Sequence, residues 1–108
     1  MFLIVTKYLI PKGYRGLALF PFVFVKYSLD KENPVFINHE RIHLRQQLEL
    51  LVIPFFIWYL MEFLVRLIQY GNRDLAYRNI SFEREAYANE KYLDYLKQRS
   101  FWNFLKCI

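Results

Sequence analysis

A chain of 108 residues with fifteen Lys and Arg against ten Asp and Glu has a formal net charge of +5, and 56% of it is hydrophobic and 20% aromatic. That apolar content excludes a disordered chain, and the length implies one domain, residues 1–108. The lone cysteine, Cys107, excludes an intrachain disulfide and a thiolate cluster, so any metal must be held by His and carboxylate. The basic residues are scattered, with no glycine-rich or RNP-like element beside them, so no nucleic-acid partner is expected. Charge combined with apolarity suits an anionic membrane surface better, where each basic residue near the headgroups gains about 1 kcal/mol. Lys7 interrupts the first apolar stretch and no small-residue cleavage site follows it, so no secretory signal is expected. The expected location is cytoplasmic, or peripheral to the membrane.

Residues 2–10 and 17–27 are rich in Val, Ile, Phe and Tyr and read as strands, separated by a turn at Pro11, Gly13 and Gly16. Pro21 inside the second run lacks an N–H donor, which predicts an edge position or a bulge. Asn33 can cap a helix that has Pro34 at its first position. On that helix Ile37, Leu44, Leu48 and Leu51 share a face expected to meet the core, and His39, His43, Gln46 and Leu50 line the other side.

From Leu50 to Met61 the chain is apolar, broken only by Pro54, and Glu62, Arg66 and Gln69 then form a narrow polar stripe before Gly71. The apolar run spans about 18 Å as helix, short of the ~30 Å hydrocarbon core. Residues 50–70 therefore admit three readings: buried core or homo-oligomer contact, a helix lying on the membrane surface, or a spanning helix with Glu62 and Arg66 paired inward. After Gly71 a short turn, Asp74 to Arg78, precedes a last long helix, Phe82 to about Lys97, with Ser81 as its cap. The tail is expected to dock through Phe101, Trp102 and Phe104.

The only two histidines lie four residues apart in His39-Glu40-Arg41-Ile42-His43. Helical positions i and i+4 project side by side, so both imidazoles can reach one ion at about 2.0 to 2.1 Å. Glu40, a quarter turn away, is placed to act on a water at that ion, as a general base must. A catalytic zinc site wants three protein ligands, and with no histidine left the third must be a carboxylate. Glu85 is favoured because it opens a helix, precedes small Ala86, and has Asn89 one turn on to support a zinc-bound histidine. Glu83, two residues away, is the rival. Tyr70, Tyr77, Tyr87 and Tyr92 could each supply a hydroxyl to an oxyanion, and the sequence does not choose among them.

The segments "NHERIH" and "EREAYANE" resemble the gluzincin group of zinc metallopeptidases, and the chain length is similar to the minimal gluzincins, or minigluzincins. The resemblance covers residues 20–96. It implies a zincin-like α+β domain, a small N-terminal sheet packed on the active-site helix and further helices. It also implies hydrolysis of a peptide or protein substrate, with His39, His43 and Glu85 on Zn²⁺ and Glu40 as base. In such enzymes the downstream glutamate often begins Glu-x-x-x-Asp; here Asn89 stands where Asp is usual. The resemblance further implies that a strand before the helix, Leu17 to Val25, forms the upper rim to which an extended substrate adds. The alternative is a non-catalytic metal-binding or membrane-associated module on the same scaffold, since 108 residues leave little chain for a lower substrate wall.

Overall fold

The computed structural model describes residues 1–10 and 13–108 of an α+β chain, so Pro11 of the expected turn lies outside the described residues. Strands β1 (Phe2–Val5), β2 (Gly16–Leu19) and β3 (Phe22–Val25) form a mixed sheet in the order β1-β3-β2, with β3 parallel to β1 and antiparallel to β2. The expected strand over 17–27 is thus a hairpin. Pro21, expected at an edge position or a bulge within a strand, lies instead in the turn, where its missing N–H costs no ladder bond. Of the two edge strands, β1 and β2, it is β2 that packs against the first long helix. The first strand ends at Val5 rather than residue 10.

Helix α1 (Pro34–Leu50) starts as expected: the Asn33 side chain accepts from the N–H groups of Val35 and Phe36, and Pro34 occupies the first turn. Leu44 packs on Ala18, Val23 and Val25 of the sheet, with Leu3 and Phe36 beside them. Leu48 and Leu51, expected on the same core face, are exposed instead. Towards that end of α1 the sheet is met by a polar residue, Gln47, whose amide donates to the Ala18 carbonyl and accepts from the Phe20 N–H.

Leu51, at φ +63°, turns the chain into α2 (Val52–Tyr70), which ends at left-handed Gly71, whose N–H returns to the Leu67 carbonyl. Asn72 caps α3 (Arg73–Arg78). In α4 (Ser81–Asn89) Ser81 is no cap; its N–H and hydroxyl both donate to Glu62 Oε2 of α2.

The expected long helix to Lys97 is broken after Asn89, and α5 (Tyr95–Gln98) follows separately. The Asn38 amide of α1 explains the break, because it donates to the carbonyls of Asn89, Glu90 and Tyr92 and holds the chain as it leaves the helix. A final 3-10 helix (Asn103–Cys107) seats Phe104 among Phe55, Ile80 and Phe82, a second apolar cluster. Trp102 docks on α1 through its backbone and indole N–H groups, which donate to Glu49, while its ring stays partly exposed; Phe101, also expected to dock, is exposed.

Candidate metal centre

The face where α1 meets α4 is polar and buried. His39 Nε2 and His43 Nε2 lie 3.1 Å apart, and Glu83 Oε1 of α4 lies 3.1 Å from the first and 3.0 Å from the second. All three side chains are buried. Their outer atoms are each tied down. His39 Nδ1 is 2.9 Å from Glu90 Oε2, an acceptor, so this nitrogen carries the proton. His43 Nδ1 is 2.8 Å from Gln46 Oε1, and the Gln46 amide nitrogen donates to Glu85 Oε1 and the Phe82 carbonyl, which fixes the orientation of the amide and makes His43 Nδ1 a donor as well. Tyr59 of α2 donates to Glu83 Oε2 at 2.8 Å.

With both Nδ1 atoms protonated, the neutral form of each ring turns its Nε2 lone pair towards a carboxylate oxygen, an arrangement of three acceptors that calls for a cation. The separations are close to the edge of a tetrahedron around a zinc-sized ion, roughly 3.3 Å for bonds near 2.0 Å, so the donor set fits such an ion. A proton can serve in its place. Burial works against a charged His43, yet Glu83 beside it raises its pKa to about 9. Burial likewise opposes the Glu83 charge, but His43 and His39 hold its carboxyl well below the ordinary range.

Glu85, favoured above as third ligand, does not face the imidazoles. It follows Phe82 by three residues and so shares that residue's side of α4, which faces the second apolar cluster and the tail. There it accepts hydrogen bonds from Tyr95, Gln46 and Arg99, and Arg99 also reaches Glu49 of α1 at 2.6 Å. Burial would raise the Glu85 pKa, and these donors lower it below the usual value. Asn89, expected to support a histidine, donates instead to the Glu85 carbonyl. The support comes from Glu90 and Gln46. The sequence held a signal for both: Glu83, Tyr87 and Glu90 recur at i, i+4 and i+7, and Gln46 lies on the histidine face of α1. Tyr59 carried no signal, because its place depends on how α2 packs.

Glu40 is buried, and among the described residues no donor reaches its carboxylate. Burial raises its pKa, with His43 and His39 opposing. It sits where two cavities meet. One, of about 420 Å³, is largely apolar and is bounded by Leu17, Phe56, Leu60, Phe63, His43 and Glu83; the other, of about 720 Å³, is bounded by polar groups including Arg15, Arg78, His39 and Glu90. Gly16 of β2 lets the edge strand approach, since a Cβ there would lie 2.6 Å from the Phe36 ring and 3.3 Å from Glu40 Oε1. Of the four tyrosines singled out, Tyr77 borders both cavities, Tyr87 borders the polar one with its ring against His39, and Tyr70 and Tyr92 are exposed. Comparison with family models, curated proteins and solved structures finds no match to the chain.

Proposed function

We propose that the chain is a zinc-dependent peptidase of the gluzincin type, a zincin-like domain in which His39, His43 and Glu83 hold the ion and Glu40 is the general base. The observation that carries this reading is the convergence of three anchored acceptors beside a buried carboxylate that no donor among the described residues satisfies. A divalent ion bound there supplies an acidified water and polarises a carbonyl. Glu40 takes the water's proton and returns it to the leaving amine, a role suited to a carboxyl whose burial raises its pKa above the ordinary value. Tyr77 keeps its proton, since burial and the Glu83 charge raise its pKa, and it faces the cleft as a neutral donor to the developing oxyanion.

The substrate in this reading is an extended peptide added to the free edge of β2, with one apolar side chain in the 420 Å³ cavity. Gly16 and Ala18 turn their backbone polar groups away from β3, as the Gln47 bond to the Ala18 carbonyl indicates. That same bond favours a second reading, a module that holds metal without turnover, because Gln47 already occupies Ala18 O and Phe20 N–H.

Metal content measured beside cleavage of a peptide library tests both. Glu40→Gln is expected to keep the metal and lose about 10²- to 10⁴-fold in turnover, Glu83→Gln to lose the metal, and Glu85→Gln to keep it. Retention of full metal by Glu83→Gln overturns the ligand set, and a metal-loaded wild-type chain that cleaves no peptide leaves the second reading in place.

A further inference from the structure

Helix α2 is inside out. Ile53, Ile57, Leu60, Leu64 and Ile68 recur along one side and are exposed, Ile53 at 72% and Ile68 at 85%, whereas Phe55, Tyr59, Glu62 and Arg66 recur along the side that faces the protein. Of its nineteen residues only Phe55 is buried. The exposed stripe has no partner among the described residues, and its flank is an apolar groove shared by Pro54, Met61, Val65 and Ile108.

The distribution of charge indicates what covers this face. Of the ten carboxylates only Glu32, Asp74 and Asp94 are exposed, the other seven being buried or half-buried; ten lysines and arginines are exposed among the described residues. The exterior is therefore more cationic than the net charge of +5 conveys. Such a surface repels a second copy of itself and attracts an anionic one. From this combination we infer that α2 is a docking surface for an anionic lipid bilayer, lying along the headgroup–acyl boundary with Ile53, Ile57, Leu60, Leu64 and Ile68 immersed.

A spanning placement does not suit the packing. The inward stripe binds α4 through Glu62 and Ser81, and α3 packs against α2, so burying α2 across a bilayer would drag Arg73, Asp74 and Arg78 into hydrocarbon. Leu60 belongs to the outward stripe and also borders the 420 Å³ cavity, with Phe56 and Phe63 of the same helix. In the docked pose that cavity opens at the level of the lipid, beside Glu40. The docking stands on exposure and charge, independently of metal binding and turnover.

Co-sedimentation of the full chain with vesicles tests this. The chain should pellet with phosphatidylcholine vesicles containing phosphatidylglycerol, at least tenfold more strongly than with phosphatidylcholine alone, and alkaline carbonate should release it. Ile57→Glu combined with Ile68→Glu should weaken partitioning at least tenfold with an unchanged circular dichroism spectrum. Leu29→Glu, an exposed apolar position outside α2, should leave it unchanged. The inference is overturned if the wild type stays in the supernatant, if the double variant binds as well as the wild type, or if Leu29→Glu weakens binding equally. It is overturned too if carbonate fails to release the chain, which indicates spanning, or if light scattering shows a dimer that the double variant dissociates while vesicles go unbound.

Discussion

Helices α1 and α2 follow one another in the chain and reverse the usual relation between polarity and burial. Eight residues of α1 are buried, and six of them are polar: Asn38, His39, Glu40, His43, Gln46 and Gln47. In α2, built almost wholly of apolar residues, one is buried. Burial of a polar group is tolerated where a partner replaces water, and five of the six in α1 have one, from the three carbonyls on Asn38 to the β2 backbone on Gln47. The sixth, Glu40, has no donor among the described residues and lies at the junction of the two cavities. The contrast teaches that α1 is held in place by pairing and α2 by a few inward contacts, so damage to the two should have different costs.

The largest expected effect comes from the pairing that locks α1, α4 and the tail together. Arg99 is fully buried between Glu49 and Glu85, and Arg99→Ala leaves both carboxylates without their partner, an expected loss of about 3–5 kcal/mol in urea unfolding at neutral pH. The pH dependence follows. The folded Glu85 pKa is below its ordinary 4.5, so its contribution is present above that pH and is lost as the pH falls through the folded value. In the variant, burial dominates and Glu85 takes up its proton at higher pH. The gap between wild type and Arg99→Ala should therefore narrow below pH 4.5, and a constant gap down to pH 3 would show that the pair does not hold the fold.

A smaller effect is expected on the inward side of α2. Glu62→Ala removes the acceptor of the buried Ser81 N–H and hydroxyl, an expected cost of about 1–3 kcal/mol. The smallest effect belongs to the outward side. Ile68→Lys in aqueous buffer should change stability by less than about 0.5 kcal/mol, because that side chain leaves almost nothing when removed. If Ile68→Lys proves as costly as Glu62→Ala in thermal melts of the isolated chain, the assignment of inside and outside along α2 is wrong.

The spacing of His39, Glu40 and His43, the cap at Asn33 and the helix end at Gly71 were all legible in the sequence, because each depends on residues within a turn or two of one another. The choice between Glu83 and Glu85 was not. Two residues on a helix differ by about 200°, so the choice depends on which side of α4 meets α1, and Phe82, drawn into the cluster with Phe55 and Phe104, decides it. The end of α4 was hidden for the same reason, since the amide that interrupts it belongs to Asn38, 51 residues earlier.

Local order by itself thus determined an α+β chain with a paired-histidine helix, and an apolar segment over residues 50–70 whose surroundings stayed open. Tertiary structure alone decided which carboxylate completes the triangle, that Gln46 and Glu90 orient the imidazoles, and that α2 turns its apolar side outward. The physical reason is range. Caps and helical spacing are set by the backbone within a few residues, whereas orientation about a helix axis is set by the sum of distant contacts, here Phe82 on its cluster, Arg99 between two acids, and Glu62 on Ser81.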